Sequence, residues 1–194
     1  MKPAQVLGIS GSPRRNGNTE LLMREFLRGA KESGHETELF ILSELKISPC
    51  TSCNSCQKAG VCIIKDDMQL MYKKIVEADF FVFASPIYFM GVSAQLKSFI
   101  DRCQALWSRK YVLKQALVSP DRGKRSGYFI STAGTKGDKK IFEGAIIVIK
   151  AIFHTLDIKY SGELLFNGID NKGDIINHPD ALQTAFKTGT SLNI

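Results

Sequence analysis

The sequence predicts a doubly wound α/β fold: one five-stranded parallel sheet in the order 2-1-3-4-5, with helices on both faces. Three observations carry that reading. Short apolar runs of strand length alternate with longer patterns of helical period, as crossover units require. One run, DFFVFAS at 79–85, is apolar almost without interruption, as expected of a strand buried on both faces. The 194 residues, 44% hydrophobic and 23% charged, suffice for one full core. No linker, repeat or low-complexity segment divides them, so residues 1–194 read as a single domain.

The first strand spans Gln5 to Ser10 and enters a Gly-rich turn, GSPRRNGNT. Leu21, Leu22, Phe26, Leu27 and Ala30 then recur with helical period over Glu20 to Ser33, and Gly34 ends that helix. Glu36 to Leu42 alternates as a second strand, followed by a cysteine-rich loop at 43–66. Between Asp67 and Ala78, Met68, Met71, Ile75 and Val76 form an inner helical stripe, with Asp66 or Asp67 placed to cap it. The apolar third strand leads through SPIYFMG into a long helix, Ser93 to Trp107. Gly127 to Thr132, a helix from Lys139 to Leu156 and Ile158 to Leu165 complete the five strands. The tail, 167–194, holds one more helix near Pro179 to Lys187. In this flavodoxin-like order, ligands lie at the carboxyl ends of the strands around the switch point, which directs attention to the turns after strands one, three and four.

The net charge of +7 and pI near 9.2 favour an anionic partner. Nucleic acid is disfavoured, because the basic residues are scattered apart from one modest cluster at Lys114, Arg122, Lys124 and Arg125, with no aromatic-basic alternation. No apolar run approaches the ~20 residues that span a bilayer, and MKPAQVLGIS lacks the secretory pattern, so a soluble, cytoplasmic protein is expected. An odd cysteine count with four clustered cysteines fits a reducing compartment better than a disulfide framework.

The first turn supplies short donors from Ser10, Ser12, Asn18 and Thr19, glycines that admit close backbone approach, and a helix amino terminus; together these suit a terminal phosphate. It matches neither GxGxxG nor the nucleoside triphosphate loop. The third-strand turn presents Tyr88 and Phe89 beside backbone groups able to read the edge of a flat heterocycle, although the same aromatics would serve equally as packing. The fourth-strand turn, Ser131 to Gly137, is small enough to approach the far side of such a ring.

Cys50, Cys53, Cys56 and Cys62 occur in the run CTSCNSCQKAGVC with CxxCxxCx5C spacing, which lets a short loop turn four thiolates toward one centre. The spacing alone leaves an iron-sulfur cube, a tetrahedral zinc and a bare thiol set open, though structural zinc more often uses two separated CxxC knuckles. Cys103, alone on a helix, reads as a small core residue, and His35, His154 and His178 have no neighbours that suggest a dyad.

GSPRRNGNT, SPIYFMGVSAQLKSFIDR and the small-residue fourth turn, in this order, resemble the FMN-binding loops of the flavodoxin-like NAD(P)H-dependent FMN reductases. CTSCNSCQKAGVCIIKDDM further resembles the cysteine motif of the iron-sulfur flavoproteins within that family. The resemblance implies an FMN phosphate held by Ser10, Ser12, Pro13, Arg14, Asn16, Asn18 and Thr19. It implies an isoalloxazine and ribityl chain approached by Pro86, Ile87, Tyr88, Phe89 and Gly91, and bounded by Ser131, Thr132, Ala133 and Gly134. It also implies a [4Fe-4S] cluster on Cys50, Cys53, Cys56 and Cys62. The expected activity is electron transfer between a ferredoxin-like acidic carrier, the cluster, FMN and a terminal acceptor such as dioxygen or hydrogen peroxide. The rivals are an NAD(P)H-dependent FMN or quinone reductase without a metal centre, and a non-catalytic flavodoxin-like carrier. A homodimer or homotetramer is expected, with FMN near a subunit interface covered by the surface around Phe89, Met90 and Trp107 or by the tail.

Overall fold

The computed structural model describes residues 3–119 and 122–192. Its five strands are β1 (Gln5–Ser10), β2 (Glu36–Ile41), β3 (Phe80–Pro86), β4 (Arg125–Ala133) and β5 (Ile158–Asn167), all parallel, in the order β2-β1-β3-β4-β5. The predicted sheet order is therefore the observed one. The helices are α1 (Asn18–Glu32), α2 (Cys56–Ala59), α3 (Met68–Glu77), α4 (Ala94–Arg102), α5 (Gln104–Trp107), α6 (Glu143–Thr155) and α7 (Pro179–Thr190), with short 3₁₀ turns at Leu42–Glu44, Lys139–Phe142 and Asp174–Asn177.

The sheet separates two cores. On one face Phe81, Phe83 and Phe129 meet Phe99 of α4 and Phe153 of α6, all inaccessible to water, and each such ring contributes up to ~3 kcal/mol of burial. On the other face Phe80, Val82 and Ile130 meet Leu22, Met23 and Phe26 of α1. The tail closes this second layer: α7 crosses α1 where Gly29 lies under the Phe186 carbonyl and Gly189 under the Phe26 carbonyl. A Cβ at either glycine would collide with backbone, so the two helices approach closely only because both positions are glycine.

Several details depart from the sequence reading. The long helix predicted from Ser93 to Trp107 is interrupted: α4 tightens at Cys103, whose N–H reaches the Ile100 carbonyl, and after α5 the chain widens into a π-helical turn at Ser108–Val112. Of the two expected caps of α3, Asp66 is borne out, its carboxylate accepting the Met68 N–H at 3.2 Å, whereas the Asp67 side chain accepts from the Lys46 N–H at 2.7 Å. Arg125 is not part of a surface basic cluster, being buried with its guanidinium donating to the carbonyls of Ile75 and Leu156, and burial pushes it down to about 10. Arg122 is paired with Asp79.

Candidate functional site at the carboxyl edge of the sheet

The turns after β1, β3 and β4 meet because parallel strands end on one edge, and hydrogen bonds between them fix their spacing. The Ser93 hydroxyl caps α4 by accepting from the Leu96 N–H at 3.2 Å, and donates to the Gly11 carbonyl of the first turn at 2.5 Å. Ser131 Oγ donates to the Ser85 carbonyl at 2.7 Å, the Ile87 N–H to the Thr132 carbonyl at 2.9 Å, and the Gly11 N–H to the Ala84 carbonyl at 2.7 Å. A Cβ on Gly11 would stand 2.6 Å from the Leu96 Cβ, so this contact demands glycine.

These turns enclose a cleft lined by Ser12, Arg14, Asn18, Thr19, Pro86, Ile87, Tyr88, Thr132 and Gly134. The other predicted residues do not line it. Ser10 is buried behind the turn, Pro13 and Asn16 are exposed, Ser131 and Ala133 are buried in β4, and Gly91 closes a turn by exchanging hydrogen bonds with Tyr88. Phe89 projects fully into solvent. One polar atom of the lining suits a ligand: Thr19 Oγ1 is buried yet has no hydrogen-bond partner, and behind the turn Ser10 Oγ is likewise unpaired. Short hydroxyls left unsatisfied beside a helix amino terminus fit a phosphate group.

Sequence reading missed the far wall. Ile169, Asp170 and Lys172 also line the cleft, although they lie some 150 positions from the first turn. Arg14 Nη1 donates to the Asp170 carbonyl at 3.1 Å. Asn18 anchors this wall, donating to the Asn171 carbonyl at 2.8 Å and accepting from the N–H groups of Gly173 and Ile175. Glu20, wholly buried, accepts the Asn16 N–H at 2.9 Å and pairs with Arg24, bracing the turn from inside. No local signal announces contacts of such long range.

Cys50, Cys53, Cys56 and Cys62 line one cavity of about 390 Å³, together with Arg102, Gln104 and Ala105 at the carboxyl end of α4 and in α5. Among the described residues no three His, Cys, Asp or Glu side chains are gathered to hold a single metal ion. All five cysteines are free thiols. Hydrogen bonds from the Ser55 side chain and backbone hold the Cys53 thiol below its ordinary value, the condition a ligating thiolate needs. Burial pushes Cys103 up, consistent with an inert core thiol. Four cysteines around one cavity supply the all-sulfur donor set that a polynuclear iron-sulfur centre takes.

The neck of this loop is closed by an ion pair. Arg102, with no exposed side-chain surface, donates to both Asp66 oxygens at 2.6 and 3.0 Å and to the Ser48 carbonyl at 2.8 Å, while Asp66 accepts from the Ser48 N–H at 2.9 Å. Burial opposes ionisation of both partners. Their mutual hydrogen bonds prevail, raising the guanidinium and lowering the carboxyl from their ordinary values. Gln69 Nε2 adds bonds to the carbonyls of Cys62 at 3.2 Å and Ile64 at 2.6 Å.

The fold and the phosphate-like cradle place the protein among flavin-binding reductases, and comparison bears this out: a profile described as NADPH-dependent FMN reductase matches residues 4–157. The chain belongs to that family and, within it, to the iron-sulfur flavoproteins. An iron-sulfur flavoprotein of Methanosarcina thermophila is 35% identical over 147 residues, covering 74% of this chain and 76% of that protein. Another, from Methanocaldococcus jannaschii, is 50% identical over 102 residues, 53% of each chain, so the match spans about half the length of that relative. The fold is shared with the NAD(P)H:quinone oxidoreductase from Methanothermobacter marburgensis, at a TM-score of 0.72 and 18% identity over 98% of this chain and 100% of that one. Among the described residues no helix is long and apolar enough to cross a membrane.

Proposed function

We propose that this chain is an FMN-dependent oxidoreductase that transfers electrons between a reduced ferredoxin-like carrier, a [4Fe-4S] cluster on Cys50, Cys53, Cys56 and Cys62, FMN, and an acceptor such as dioxygen or hydrogen peroxide. The observation that carries the reading is the placement of two sites on one short helix. Ser93 at the start of α4 ties down the flavin cleft, and Arg102 at its end closes the cysteine loop. Nine residues of helix separate them, about 14 Å. FMN would supply two-electron and one-electron chemistry, and the cluster one-electron chemistry.

The residues have separable tasks. Ser12 and Thr19 with the α1 amino terminus bind the phosphate, and Arg14 and Lys172 add positive charge at the rim. Pro86, Ile87, Tyr88, Thr132 and Gly134 form apolar and backbone walls that exclude water from a flat ring. The net charge of +7 suits encounter with an acidic carrier at low salt. The family description favours NADPH as a second candidate donor.

Anaerobic purification followed by flavin, iron and sulfide analysis tests the reading. FMN with about four iron and four sulfide per chain is expected; yellow protein without iron would overturn the cluster while leaving the flavin. Turnover with reduced ferredoxin but not NADPH is expected, and the reverse makes the chain a metal-independent reductase. Cys53→Ala should abolish iron binding and spare FMN, because the two sites use different loops. Loss of both from a folded variant would refute this division.

A further inference from the structure

The π-helical turn at Ser108–Val112 lies beside the cysteine cavity, and its first residue does something none of its neighbours does. Ser108 is completely buried, and its Oγ lies 3.3 Å from the Cys56 sulfur. Helix α2, which begins at Cys56, docks on this turn: Gly60, at φ +69°, ends α2 so closely that an added Cβ would stand 3.2 Å from Leu113 and 3.3 Å from Arg109. The widened turn therefore fixes the hydroxyl against the sulfur, and π-bulges of this kind recur at functional positions.

We infer that Ser108 is a positioning residue for the centre held by Cys56, donating a hydrogen bond to that sulfur and raising the reduction potential of the centre. The inference rests on the cluster reading given above. A ligating thiolate has no proton, so between these two atoms only the serine can donate. A donor aimed at a ligand sulfur withdraws electron density from it and stabilises the more negative, reduced state. Among the described residues the Cys56 sulfur otherwise meets the Gln104 carbonyl, 3.9 Å away, an acceptor that offers a thiolate nothing. Ser108 is thereby the described donor to this sulfur.

The test is a spectroelectrochemical titration of anaerobically prepared holoprotein, wild type against Ser108→Ala, with iron and sulfide measured on each sample. Alanine removes one oxygen and leaves the turn its shape. The expected result is a full complement of iron in both proteins and a roughly tenfold smaller equilibrium constant for cluster reduction in the variant, ~59 mV more negative, with the FMN potentials unmoved. An unchanged cluster potential overturns the inference while the cluster reading stands. A parallel shift in the flavin potentials, or iron lost from the variant alone, assigns Ser108 a structural role and overturns it as well. Wild-type protein without iron refutes the cluster reading itself and the inference with it.

Discussion

The cleft at the carboxyl edge of the sheet is held by short bonds from backbone and small buried hydroxyls, whereas the neck of the cysteine loop is closed by charged side chains: the buried Asp66–Arg102 pair, beside the Asp67 carboxylate that accepts the Lys46 N–H. In the cleft Ser93, Ser131, Ile87 and Gly11 each link two of the three turns, so losing one leaves the others. In the loop Ser48 and Asp66, eighteen positions apart, are brought together by Asp66 and Arg102. The contrast teaches that a cleft can be made from the edge of a sheet, which exists already, while an exposed cysteine loop needs a latch made for it.

The largest effect is expected at the latch. Arg102→Met leaves the Asp66 carboxylate buried and unpaired and should lower stability by about 3 kcal/mol, with proteolysis concentrated at 48–66 and FMN affinity retained. Equal loss of FMN affinity would break the comparison. Acid sharpens it. The folded Asp66 carboxyl lies below its ordinary value, so its contribution is fully present above about pH 3.9 and disappears as pH falls through the lower folded value. Proteolysis of the wild-type loop should rise in that window and not at neutral pH. Arg102→Met should show the opposite dependence, because acid neutralises a carboxylate that is left buried without its cation.

The same contrast explains what the sequence disclosed. The phosphate turn was legible because strand, glycine, hydroxyl donors and helix start are consecutive, and the cysteines because their spacing is local. The sheet order followed from the alternation of strand and helix. Asp170 and Lys172 were invisible because only the return of the chain after β5, anchored by Asn18, brings them to the cleft. The Arg102 latch was invisible for a related reason: an Arg near a helix end reads as solvated, and nothing local marks Asp66 as its partner. The tail helix was recognised from its period, but the glycine crossing of α7 on α1 requires two positions 160 residues apart to meet. Phe89 was expected at the ring and stands in solvent, because the backbone at Phe89 and Met90 turns through positive φ, a conformation these residue types do not advertise.

A smaller effect, of opposite sign in the free and bound protein, is expected at the buried hydroxyls. Thr19→Val removes an oxygen that has no partner in the free cleft, relieving a desolvation cost and raising the stability of the FMN-free protein by about 1 kcal/mol. The same change should weaken FMN about tenfold, because a hydrogen bond to a charged phosphate is lost. Denaturant unfolding of the stripped protein and fluorescence titration with FMN measure the two arms. A variant that is destabilised when free would mean that the hydroxyl has a protein partner after all.

The smallest effect concerns backbone strain, which both regions contain. Ser52 and Asn54 carry positive φ in the cysteine loop, and Phe89 and Met90 do so at 49° and 61° in the turn beside the cleft. Asn54 is a residue type that accepts this conformation; Phe89 is not, and with its ring wholly exposed it recovers nothing by packing. Phe89→Asn should therefore stabilise the FMN-free protein by about 1 kcal/mol, the cost of holding a bulky L-residue left-handed. If the ring has no other task, FMN affinity and oligomeric state will be unchanged and the strain is incidental. The expected result is different: gain in stability accompanied by a several-fold loss of FMN affinity or by dissociation of an oligomer. A strained position with an exposed aromatic persists against that cost only where the ring is covered in the working state, and the cysteine loop, whose strain falls on small polar residues, should show no comparable exchange when Ser52 is replaced by Asn.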